Sequence, residues 1–93
     1  MGKPENAVEQ RLRARVEKAG GLCLKFTSSR AGVPDRIVVL HGRVVFVELK
    51  APGGRIRPLQ RVRHDELRAR GAEVRVLASR DAVEQFMAEF ASS

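Results

Sequence analysis

Asp35, Glu48 and Lys50 fall in the pattern Pro34-Asp35 … Glu48-Leu49-Lys50, two acids and an amine spread over what reads as a β-hairpin. Glu48 and Lys50 close the most apolar run of the chain, Val44-Val45-Phe46-Val47-Glu48-Leu49-Lys50, which reads as a strand covered on both faces. Residues i and i+2 of a strand point the same way, so carboxylate and ammonium project together while Leu49 turns away. Charge beside a core is costly unless something compensates it, and a metal ion is one compensator. Arg36 to Leu40 is a second short strand, rich in β-branched residues, and His41-Gly42 makes a two-residue turn between the two. Pairing Leu40 with Arg43 across that turn sets Asp35 opposite Glu48, with Cβ atoms roughly 4.5–5.5 Å apart. Carboxylates that close repel unless a proton or cation lies between them. The pair suits Mg²⁺ or Mn²⁺, hard cations that take oxygen ligands and keep several waters, and the Leu49 carbonyl offers another ligand. Lys50 is placed to position or activate an attacking water, or to offset charge on a pentacovalent transition state. A metal-held water, neutralised charge and an entry path for a polyanion are the parts that phosphodiester hydrolysis needs. Each residue alone has a plain structural reading, as a strand-end ion pair or a turn residue after proline. Their convergence on one hairpin in matched register favours the site.

The surrounding pattern predicts how this hairpin is held. Val8, Leu12, Val16 and Ala19 recur at helical spacing from about Pro4 to Ala19, and Gly20-Gly21 stops that helix. Glu5 and Glu9 fall on its apolar stripe, an unusual place for acids. Leu22 to Thr27 alternates as a first strand, with Leu22, Leu24 and Phe26 on one side and Cys23, Lys25 and Thr27 on the other. Pro58 opens a helix reaching about Arg70, with Gly71 as its stop. Glu73 to Leu77 is a fourth strand, and Ser79 caps a helix from Arg80 to Phe90 with the stripe Val83, Phe86, Met87 and Phe90. The order αβββαβα implies an α/β fold, a mixed central sheet flanked by helices, with the last helix added to an αβββαβ core.

Ninety-three residues make one small domain spanning 1–93. Eighteen Lys and Arg against eleven Asp and Glu give a formal charge of +7, and arginine, whose planar fork suits phosphate, dominates. That favours a nucleic-acid partner over a membrane surface. One cysteine, Cys23, and two histidines are too few for a disulfide or a structural zinc site, so Cys23 reads as a small buried hydrophobe in a reducing compartment. The N-terminus is polar and no apolar run approaches spanning length, so a cytoplasmic location is expected, with the nucleoid or, for a viral protein, in a host cell.

The runs Gly32-Val33-Pro34-Asp35-Arg36, Phe46-Val47-Glu48-Leu49-Lys50-Ala51-Pro52-Gly53 and Leu59-Gln60 resemble the VRR-NUC branch of the PD-(D/E)XK nucleases. The similarity extends from Glu9 through Val76, and the length is that of stand-alone viral and bacterial members. A bare PD…ExK match is short, but here it lies within the matching αβββαβ order. The resemblance implies a restriction-endonuclease-like fold and a divalent-metal-dependent endonuclease acting on DNA, branched or structured DNA above all. It also implies a homodimer that behaves like a Holliday-junction resolvase, with no organic cofactor. By the same resemblance Asp35 and Glu48 bind metal, Lys50 is the catalytic lysine, Gln60 borders the active site and a first-helix glutamate completes it. Glu9, about three turns before Gly20, is the preferred glutamate, directly or through water, with Glu5 one turn earlier as the alternative.

Lys25, Arg30, Arg36, Arg55, Arg57, Arg61 and Arg63 flank the proposed site and are candidates for DNA backbone contacts. His64 lies one turn after Gln60 and shares its face, although a lone helix histidine is more often structural. Gly53-Gly54 is not followed by the Lys-Ser/Thr of a phosphate-cradling loop. Two other readings share the fold: a non-catalytic DNA-binding or assembly module, and a nuclease acting on linear or flap DNA.

Overall fold

The structure is a computed structural model that describes residues 4–91, with side chains from residue 6 onward. Its elements are α1 (Pro4–Lys18), β1 (Leu22–Lys25), β2 (Arg36–Leu40), β3 (Arg43–Leu49), α2 (Pro58–Ala69), β4 (Glu73–Leu77) and α3 (Arg80–Ala91). This is the expected αβββαβα order. The four strands form one sheet in the order β1-β2-β3-β4, antiparallel from β1 to β3 and parallel between β3 and β4. A parallel neighbour needs a crossover, and α2 provides it.

Leu40 pairs with Arg43 as the turn chemistry requires, because His41 (φ 51°) and Gly42 (φ 74°) both take the left-handed conformation of a tight two-residue hairpin. The first strand is shorter than its alternation suggests and ends at Lys25, although the Phe26 N–H still bonds the Asp35 carbonyl at 2.9 Å. The Ser79 hydroxyl accepts from the Ala82 N–H at 3.0 Å and caps α3.

The sheet has two unlike faces. On one, Val8, Leu12 and Val16 of α1 and Val83, Phe86, Met87 and Phe90 of α3 pack on Val38, Leu40, Val45, Val47, Leu49 and Leu77, with Cys23 against the edge of the cluster. On the other, α2 lies over β4, where Val74 and His64 are buried. Leu22, Leu24 and Val44 on that second face are about half exposed. The expectation that β3 is covered on both faces therefore fails near its start, at Val44. A helix about 10 Å wide spans two strands set about 4.8 Å apart, so α2 cannot roof all four.

Candidate active site

The site forms where the loop before β2 meets the end of β3. Gly32 lets that loop close on α2: its φ of +90° is open only to glycine without strain, and a Cβ there would meet the Leu59 carbonyl oxygen at 2.9 Å. Pro34 is fully buried, which fixes Asp35 at the mouth of β2. The pairs Leu40↔Arg43 through Arg36↔Val47 carry the register to the residue before Glu48, so Asp35 stands across from Glu48 as the sequence implies. An Asp35 carboxylate oxygen also accepts from the Leu49 N–H at 3.4 Å, which ties it to the end of β3.

Glu48 is 5% exposed, and its side chain reaches the underside of α2. Gln60 Nε2 donates to Glu48 Oε2 at 3.2 Å, and Lys50 Nζ lies 3.6 Å from the same oxygen. The amide of Gln60 has its direction fixed from behind, because its Oε1 accepts the Arg57 N–H at 2.8 Å at the start of α2. The other carboxylate oxygen, Glu48 Oε1, is buried without a hydrogen-bond partner. Burial pushes the Glu48 carboxyl up to about 7 and the Asp35 carboxylate adds to that push, while Lys50 and Gln60 pull the other way. A buried acid facing a second carboxylate, with one oxygen unmet, has the chemistry of a hard-cation ligand. The donor set of Asp35, Glu48 and the adjoining Leu49 backbone fits a divalent cation on that observation.

Glu9 does not join this pair. The Arg36 guanidinium donates to one Glu9 oxygen and stands 3.6 Å from an Asp35 oxygen, while Arg13 donates to the other Glu9 oxygen at 2.9 Å. The hydrogen bond from Arg36 holds the Glu9 carboxyl below its usual range against the effect of burial, and Arg13 and Lys25 add to the pull. Among the described residues no three His, Cys, Asp or Glu groups come close enough to share one ion. Glu9, the first-helix glutamate preferred from the resemblance, is paired here with arginine rather than with Asp35 and Glu48: an acid on the apolar stripe of α1 is neutralised by Arg36 reaching up from β2. Glu5 lies in α1, but its side chain is outside the described residues.

The basic candidates divide the same way. Arg55, Arg57 and Arg61 are exposed around the start of α2, and Lys25 is exposed beside Glu9. Arg36 is not an open phosphate contact, since only 13% of its side chain is exposed and it pairs with Glu9. Arg63 donates to the Ala31 carbonyl at 3.1 Å and to Glu66, which also draws Arg30 to 3.7 Å. These two hold the loop before β2 against α2. His64 exceeds its sequence reading: it is wholly buried, with Nε2 4.0 Å from Glu48 Oε1. The one sequence signal for this was its spacing of four from Gln60, which placed both on one helical face.

Comparison with known proteins agrees with this architecture. The model of the VRR-NUC domain family matches residues 3–81. The chain is 47% identical over 79 residues to "Putative nuclease p44" of Acyrthosiphon pisum secondary endosymbiont phage 1, an alignment covering 83% of this chain and 85% of that protein. A solved structure described as a VRR_NUC domain superposes with a TM-score of 0.88 at 33% identity, covering 96% of this chain and 99% of the other.

Proposed function

The chain belongs to the VRR-NUC domain family of nucleases, and on that premise we propose that it is a divalent-metal-dependent endonuclease that cuts branched DNA as a homodimer. The observation that carries the reading is the Asp35–Glu48–Lys50 cluster at the hairpin mouth, with one buried Glu48 oxygen left unmet by the protein. When bound, Mg²⁺ or Mn²⁺ supplies charge that neutralises phosphate oxygens and acidifies water. Asp35 and Glu48 offer the anionic oxygens that hold such an ion, with the Leu49 backbone beside them. Lys50 sets its ammonium next to the same carboxylate, where it opposes the charge that builds on a phosphodiester under attack. Gln60 keeps Glu48 aimed through a donor whose own direction is set by the first turn of α2. Arg55, Arg57 and Arg61 line the approach and contribute sequence-independent affinity for the sugar-phosphate chain.

Shape selectivity is part of this reading. With no Trp or Tyr and four Phe, the chain has few platforms for reading unpaired bases, and backbone contacts favour a junction's geometry over its sequence. The half-exposed Leu22, Leu24 and Val44 form an apolar strip with Val39, Ile37 and Phe46, their cross-strand neighbours, and a second copy is the occupant we assign to it. Two copies bring two active sites to the two strands that symmetric junction cleavage requires. We place this activity in the cytoplasm, where its DNA would be met.

The test is a panel of labelled four-way junction, flap and linear duplex, each titrated with Mg²⁺ and Mn²⁺. The expected result is metal-dependent nicking with the junction preferred, lost in Asp35→Asn. Equal cutting of linear duplex would replace the branched-DNA reading with general degradation, and binding without cutting under every metal would replace it with a non-catalytic module.

A further inference from the structure

Gln60 and His64 stand one helical turn apart on α2 and both face Glu48. Gln60 meets Oε2 of that carboxylate and leaves Oε1 buried and unpartnered. The His64 imidazole is 0% exposed, and neither ring nitrogen has a hydrogen-bond partner. A buried polar group without a partner is costly, and an apolar side chain of the same size would fill this space without that cost. The two deficits face each other, Nε2 to Oε1, at 4.0 Å. A closure of about 1 Å turns that contact into a hydrogen bond and satisfies both groups. An imidazole offers an N–H donor at one ring nitrogen or both, so Nε2 can serve Oε1.

We propose that His64 is a positioning residue for Glu48: its imidazole donates from Nε2 to Oε1 as the carboxylate turns to take up the divalent cation. This rests on the reading above, in which Asp35 and Glu48 hold that ion. Gln60 and His64 then grip the two Glu48 oxygens from one side, one donor each. Every carboxylate oxygen has two lone pairs, so the grip leaves lone pairs for the ion. Outer donors of this kind fix the orientation of a ligand and raise its affinity for metal.

The experiment is Mn²⁺ binding to the DNA-free protein, read from the electron paramagnetic resonance signal of free Mn²⁺, with thermal unfolding measured in parallel. The panel is wild type, Glu48→Gln, His64→Gln, His64→Leu and His64→Phe. Glu48→Gln is expected to abolish site binding. His64→Leu and His64→Phe are expected to bind Mn²⁺ about 10–100-fold more weakly, and His64→Gln, whose amide nitrogen can reach the place of Nε2, to stay within about threefold of wild type. Either apolar variant suffices, provided that it unfolds at or above the wild-type temperature. Wild-type affinity in a folded apolar variant would make His64 a core filler and overturn the proposal, as would a His64→Gln loss equal to that of the apolar variants. Mn²⁺ binding that Glu48→Gln leaves unchanged refutes the metal reading itself and takes the inference with it. Strong binding that is lost in Glu48→Gln but indifferent to residue 64 refutes the inference alone.

Discussion

The two faces of the sheet follow opposite rules. Beneath α1 and α3 the core is closed, and the charges at its rim are matched: Glu84 receives Arg11 and Arg15, and Glu73 and Glu89 receive Arg43 and Arg75. Arg43 also lies 4.4 Å above the Phe90 ring, so even the rim packs. Beneath α2 the order is reversed. Among the described residues, the buried side-chain atoms without a partner are Glu48 Oε1 and the two His64 ring nitrogens, all on that side. Native folds leave few such atoms, and those they leave ask for an explanation outside the fold itself. Among the described residues, one face closes all its buried polar side chains and the other leaves three atoms unmet.

The largest effect expected is on the closed face. Phe86 is 2% exposed at the centre of the cluster, and Phe86→Ala should cost about 3–5 kcal/mol in denaturant unfolding. Cleavage should fall only in proportion to the unfolded fraction. Next comes Lys50→Ala on the other face, where removal of one stabilising charge should lower the cleavage rate about 10²–10³-fold while the unfolding midpoint stays put. The comparison breaks if Lys50→Ala destabilises as Phe86→Ala does, because Lys50 would then serve the fold.

A third substitution sharpens the contrast by separating stability from function in one residue. The native Glu48 carboxyl keeps its proton up to about 7, whereas in the unfolded chain it gives it up near the ordinary 4.5. Between those values the native state holds more protons than the unfolded one, so stability falls as pH rises through the window and levels off above it. Glu48→Gln does not titrate. The metal-free variant should therefore be more stable than wild type by up to roughly 3 kcal/mol at pH 8, with the gap closing toward pH 4.5, while cleavage is abolished. Calorimetry of both proteins at the two pH values decides it. A wild type that gains stability on going from pH 5 to pH 8 relative to the variant would show that Glu48 is paired in the resting fold.

Much of this was legible in the sequence, and what was not has a common cause. The hairpin register followed from a turn, His41-Gly42, that admits one geometry, and the approach of Asp35 to Glu48 followed from the register. The stripes of α1 and α3 were legible because a 3.6-residue period buried on a single face repeats cleanly. Three features were not. Glu9 stood out as an acid on the apolar stripe, but the arginine that pairs with it comes from a strand distant in sequence. Val44 read as buried because an apolar run does not report how many strands one helix can roof. His64 was marked by its spacing from Gln60, yet its burial against Glu48 depends on how α2 docks on β3 and β4. In each case local period gave the face of an element, and only packing gave what that face meets.

The smallest effect on the fold is expected at the open strip, and it tests the occupant assigned there. Leu24 is 47% exposed, and its cross-strand neighbour Ile37 leads on to Phe46, which stacks edge-on with Phe26 at 5.8 Å. In an isolated copy Leu24→Lys changes an exposed strand position, so unfolding at high dilution should shift by no more than about 0.5 kcal/mol. In a dimer seated on this strip the same lysine would be buried without a partner, a loss that drives the copies apart. Sedimentation at rising concentration should then show wild-type dimer and variant monomer, with junction cleavage falling alongside while Mn²⁺ binding at Asp35 and Glu48 is kept. Identical sedimentation of the two would move the second copy elsewhere and leave the strip as surface that α2 is too narrow to cover.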